Sequence, residues 1–145
     1  MNEKIEIYKH IYKDSNMAVS SLKTLKKELK NRDNKLKDYL DDLIDQFIYF
    51  ESNSKKVLKD NKVSLDEEGM IAKTMANIGI KKEVMDDNSD SHIAEVIIQG
   101  IVMGSINMER KIDDYRDKLD KEDLDFANNY LKYEQETIER LKEYL

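Results

Sequence analysis

Residues 60–91, DNKVSLDEEGMIAKTMANIGIKKEVMDDNSDS, stand between two pairs of long helical runs, and their length decides the fold. About thirty residues are far more than a helix–helix turn needs. They suffice to carry the chain back along a helix of 25 residues, about 38 Å long. The long helix after the stretch is therefore expected to lie parallel to the one before it. Within the stretch, Ser64-Leu65-Asp66-Glu67 has the form of a capping box. It opens a short amphipathic helix with Met70, Ile71, Thr74, Met75 and Ile78 on one side. Gly79 before Ile80 matches a left-handed C-terminal cap, with Ile80 packing back on Met75. Met70, Met75 and Met85 read as core filler. The polar run from Met85 to Ser91 ends in N-cap candidates.

Outside that stretch almost nothing interrupts a helix. There is no proline in the 145 residues, and the glycines are Gly69, Gly79, Gly100 and Gly104. Proline breaks helix interiors and glycine weakens them, so their scarcity leaves room for long helices. The first is expected from about Glu3 to Lys30, with the stripe Tyr8, Ile11, Ser15, Ala18, Leu22, Leu25 and Leu29 at steps of three and four. Asn31-Arg32-Asp33-Asn34 breaks it and supplies capping residues for the second, from about Lys35 to Lys59. That helix carries Leu36, Leu40, Leu43, Phe47, Phe50, Ser54 and Val57. The third runs from about His92 to Lys118, apolar on nearly every side in its first half, and reads as the most buried element. Asp120-Lys121-Glu122-Asp123 caps the fourth, whose stripe is Leu124, Ala127, Leu131, Glu134, Ile138, Leu141 and Leu145.

Composition narrows the function classes. Charged residues are 39% of the chain and the formal net charge is −6. An acidic balance argues against nucleic acid as a partner, because binding it neutralises phosphates with clustered cations. The tightest basic cluster, Lys23, Lys26, Lys27 and Lys30, falls at a helix end, where it complements the helix dipole. Cysteine is absent, which removes disulfides, thiolate catalysis and iron–sulfur clusters. The N-terminus lacks the apolar stretch of a secretion signal, and the least polar run, Ile93 to Met108, carries Glu95, Gln99, Ser105 and Asn107. No membrane span is expected, and a cytoplasmic location is. The Lys, Asp, Asn and Ile richness suits an AT-rich bacterial genome.

Two helices, a long crossover and two more helices make the chain resemble the ferritin-like superfamily over essentially all its residues, as one domain, 1–145. The resemblance implies an all-α, antiparallel four-helix bundle with the crossover between its second and third helices. The di-iron members of that superfamily place a Glu on each of two helices and Glu-x-x-His on each of the other two. Here the only histidines, His10 and His92, follow Ile7 and Ser89 at that spacing. The first helix has Ser15 where a mid-length acid is wanted, Glu51 is followed by Ser54, and Glu134 by Thr137. The chain thus resembles a ferritin-like bundle without the di-iron site, as some bacterial families similar to spore coat proteins are. That resemblance implies a structural or protein-interaction role, spore- or stress-associated, with no cofactor.

Four constellations remain. Glu134 stands on a core stripe, where desolvation disfavours its charged form, so a partner is required. Counting from the turns places it near Ser105, and places Ser15 opposite Tyr49 and near Glu51. A hydrogen-bonded polar layer of Glu134, Ser105 and a tyrosine hydroxyl is the leading expectation. The alternative is an atypical iron or manganese site drawing on Glu51, Glu95, Glu134 and His92, with oxidoreductase activity. His92 and Glu95 are one turn apart and could share an ion. Gly100 and Gly104 are expected to admit a bulky neighbour, with a helix–helix dimer contact as the alternative. No nucleophile–base arrangement or phosphate-binding glycine loop is present, so the expectation leans away from an enzyme. Self-association as a homodimer through long helix faces, with room for another protein partner, is the expected mode of action.

Overall fold

A computed structural model describes residues 2–65 and 69–145. The chain is all-helical, with no strand among the described residues. Five α-helices follow in order: α1 Asn2–Glu28, α2 Lys37–Asp60, α3 Gly69–Asp86, α4 Asp90–Tyr115 and α5 Lys121–Leu141, with single 3-10 turns after α4 and α5.

The stripes of α1 and α2 bury almost as spaced. Ile11, Ser15, Leu22 and Leu25 face inward on α1, and Leu40, Leu43, Phe47, Phe50 and Ser54 on α2. Each fully buried Leu, Ile or Phe contributes about 1.5–3 kcal/mol relative to exposure. At the end of α2 the inward position is Leu58, not Val57, because the last step from Ser54 is four. On α5 the buried face is Asp123, Ala127, Tyr130, Glu134, Thr137 and Leu141. Tyr130 and Thr137 thus replace Leu131 and Ile138 while Ala127, Glu134 and Leu141 stay, a rotation of about half a residue, or 50°. Aromatic packing accounts for it: Tyr130 and Tyr133 pack edge-on to Phe47, and Phe50 meets Phe126 and both tyrosines. Leu145, expected on the stripe, is exposed beyond the last turn.

Those contacts fix direction. Phe50 meets Phe126 while Tyr39 meets Tyr144, so α2 and α5 are antiparallel. The Tyr8 hydroxyl donates to Asp123 at 2.7 Å and Tyr130 donates to Asp14, so α1 and α5 run the same way. Tyr115 donates to Glu6 while Gly104 faces Asp14, so α4 opposes α1 and parallels α2. One turn ties the whole end together: the Asn34 side-chain amide donates to Asn88 O at 2.8 Å and Asp90 Oδ1 at 2.9 Å. This is why the 31–34 segment does not cap α2, whose N-cap is Leu36 with no side-chain bond.

The crossover differs most from expectation. Its helix, α3, has 18 residues and runs straight through Gly79, with no positive-φ glycine among the described residues. The left-handed cap at Gly79 is therefore absent; Ile80 continues the helix and is buried against the core. The proposed capping box extends into residues 66–68, which lie outside the described residues. Met70, Ile71, Met75, Ile78 and Met85 are 66, 76, 67, 60 and 84% exposed, so the methionines are not core filler. The face turned inward is Ala76, Asn77, Ile80 and Val84 instead. α4 is buried on one side through Ile93, Ala94, Ile97, Ile101, Met108 and Ile112, but Met103 and Ile106 point outward. None of the helices, among the described residues, is long and apolar enough to cross a membrane.

Candidate functional site: a carboxyl pair at the edge of the core and an outward-facing apolar helix

Glu134 is 1% exposed, as its place on the stripe of α5 requires. Its partner is Asp14 of α1, with which it shares a hydrogen bond. Asp14 sits beside Ser15 and three residues after Ile11, so it reaches the same interior from the edge of the stripe. Sequence reasoning passed over it by taking Ser15 as the only mid-length position. The available signal was the spacing Ile7, Ile11, Asp14, Ala18, which is helical and contains one acid.

Burial, then the negative charge of Asp14 and the hydrogen bond to it, raise the Glu134 pKa to about 10. Glu134 is therefore neutral at pH 7, and a protonated carboxyl can donate to Asp14. Tyr130, wholly buried, donates to the other side of the pair at Asp14 Oδ2, and its own pKa is pushed well up by burial and by the same charge. The Oε1 atom of Glu134 is buried with no hydrogen-bond partner.

Gly104 of α4 makes the pair possible. A Cβ there would stand 2.5 Å from Asp14 Oδ1 and 3.0 Å from its carboxyl carbon. The neighbour admitted by the glycine spacing is thus a carboxylate, not the expected bulky ring, and only at Gly104; a Cβ on Gly100 would meet open space. His10, one turn before Asp14, has its Nε2 buried with no hydrogen-bond partner; burial and Lys111 lower its pKa, partly offset by Asp14 and the nearby Gly104 backbone. The polar centre therefore spans α1, α4 and α5.

Beside it lies a cavity of about 210 Å³ between α1, α3 and α4. Its walls include Leu22, Phe47, Ile80, Ile97 and Ile101, its floor Asp14 and Glu134, and exposed Gly100 lies at its rim. The packing of small Ala76 from α3 leaves this space open.

The other expected partners go elsewhere. Ser105 Oγ donates to Val102 O within its own helix, and Ser15 to Ile11 O, so neither joins a layer with Glu134. Tyr49 is 55% exposed. Glu51 lies near Tyr12, whose pKa rises through burial and through that charge. His92 bonds Glu83 at 2.8 Å, clipping α3 to α4, and Glu95 accepts from Gln99. His92 and Glu95 are thus engaged on α4, Glu134 stands with Asp14, and Glu51 Oε2 is buried with no hydrogen-bond partner. Among the described residues no three His, Asp or Glu side chains are disposed to hold a metal ion.

The second feature is α3. Ile71, Met75, Ile78, Lys82 and Met85 follow steps of four, three, four and three, and all are exposed. That is the a/d spacing of a helix-pairing seam. Comparison with known proteins adds no assignment: no family model, no curated protein and no solved structure matches the chain.

Proposed function

We propose that this chain is a non-enzymatic, ferritin-like four-helix bundle acting as a structural or protein-interaction protein, which pairs with a second copy of itself through α3. The observation that carries this reading is the inverted character of α3. Four large apolar side chains, Ile71, Met75, Ile78 and Met85, face outward, while the inward side sets small Ala76 and polar Asn77 beside Ile80 and Val84. A helix serving only its own fold would present the reverse. Two such helices related by a two-fold axis near Ile78, running antiparallel, set Ile71 against Met85 and lay the stem of Lys82 beside Met75. The ferritin-like assignment is supported by the helix directions, with α2 and α4 parallel across a crossover and α1 parallel to α5.

Sedimentation equilibrium tests the pairing. The wild type sediments as a dimer, and Met75→Glu with Ile78→Glu gives a monomer of unchanged helicity, since both side chains are exposed. A monomeric wild type overturns the reading.

A further inference from the structure

We propose that the cavity between α1, α3 and α4 is a binding site for a small amine, a molecule with an apolar body and one primary ammonium head seated on Asp14 and Glu134. Nothing in this rests on the pairing through α3.

The walls and the floor ask for different things. Leu22, Phe47, Ile80, Ile97 and Ile101 offer dispersion contacts and no hydrogen bonds. The floor holds two carboxyl groups, and Glu134, 1% exposed, leaves Oε1 without a donor. A buried acceptor left unpaired costs stability, and a ligand that supplies an N–H recovers it. Of the side-chain donors nearby, Tyr130 and the Glu134 hydroxyl are both spent on Asp14, and Ser21 is a further hydroxyl on the cavity wall. Two carboxyl groups stand together there, Glu134 buried and Asp14 half-buried, below apolar walls, so the complementary head is a cation. An ammonium has three donors, of which one meets Asp14 on the cavity floor and a second reaches Glu134 Oε1 once that buried carboxyl turns toward it. An anion would be repelled, and a neutral hydrocarbon would leave Oε1 as it stands.

Size sets the body. The cavity is about 210 Å³; one of about 150 Å³ lined by apolar side chains takes benzene. A ring or short branched chain with a two-carbon arm therefore fits. Exposed Gly100 at the rim, with open space where its Cβ would be, provides the way in.

The test is calorimetric titration with 2-phenylethylamine, with 2-phenylethanol and phenylacetate as neutral and anionic counterparts. The amine binds one per chain, about tenfold or more tighter than the alcohol, and phenylacetate does not bind. Asp14→Asn removes the charge and brings the amine down to the level of the alcohol. Gly100→Leu fills the cavity without touching either carboxyl and abolishes binding, which keeps the test decisive if Asp14→Asn folds poorly. Absence of saturable amine binding, equal affinity for amine and alcohol, or an Asp14→Asn protein that binds as the wild type does would each overturn the proposal. So would one ferrous or manganous ion per chain that Glu134→Gln releases, in a protein indifferent to the amine; that result assigns the carboxyls to a metal.

Discussion

Gly79 and Gly104 both lie inside helices, yet opposite outcomes are expected when each becomes alanine. Gly79 has nothing within 4 Å of an added Cβ. Gly79→Ala therefore gains only the helix propensity difference and stabilises by about 0.5–1 kcal/mol. At Gly104 the same methyl would stand 2.5 Å from Asp14 Oδ1. The carboxylate cannot swing away without losing the donors from Tyr130 and Glu134, so Gly104→Ala destabilises by about 1–3 kcal/mol. Urea unfolding of both variants measures the contrast. In an Asp14→Ala background the Gly104→Ala penalty vanishes, because its cause is gone. An unchanged penalty there would place the clash with some other group.

At the scale of the element, α3 is the helix least committed to the core. Only Ile80 and Val84 are buried on it, against seven residues on α1 and eight on α4. Among the described residues its other polar ties to α1 and α4 are one bond from Asn77 to Ser20 at 3.4 Å and the Glu83–His92 pair. In the monomeric Met75→Glu, Ile78→Glu protein its amides are expected to exchange faster than those of α1, α2, α4 and α5. Ile80→Ala in that protein speeds exchange in α3 selectively, at a cost of about 2 kcal/mol, the low end for such a truncation because the site already borders a cavity. Uniform exchange across the five helices would show α3 to be locked into the core. This element also marks where sequence reasoning stops. Periodicity placed α1, α2, α4 and α5 to within a few residues, because one face of each is buried and the stripe reports it. It located the stripe on α3 as well, and assigned it to the wrong side. Spacing tells which residues share a face; it does not tell what that face meets. The same limit explains the site. Glu134 was legible because an acid interrupts an apolar stripe, while Asp14 stands at the edge of its own stripe, and the space for it is made by a glycine on another helix.

For the molecule as a whole, the carboxyl pair gives stability a dependence on pH that is unusual for an acid. Most carboxylates are held below their unfolded pKa and stabilise as pH rises; Glu134 is held above it. Its contribution is complete below about 4.5, its ordinary value, and is lost as pH rises toward about 10. Across that window the folded chain carries a proton that the unfolded chain has released, so unfolding becomes progressively easier. His10 acts the other way over a narrower span. Burial holds its pKa below 6.5, so the unfolded chain takes up its proton first as pH falls through that value, and stability declines on the acid side. The two slopes oppose one another below 6.5, and above it only Glu134 acts. Glu134→Gln, with an amide that donates to Asp14 as the neutral acid does, removes one slope and keeps the geometry. It should match the wild type near pH 4.5 and exceed it increasingly above, by about 1–3 kcal/mol at pH 8, within the ceiling of about 1.4 kcal/mol per unit of pH. Thermal and urea unfolding from pH 5 to pH 8 give the comparison. Parallel curves for the two proteins would mean that Glu134 is ionised in the folded chain, with its charge balanced by something other than Asp14. A gap that widens with pH identifies the proton shared between α1 and α5 as the reason an acid can sit at the centre of this core.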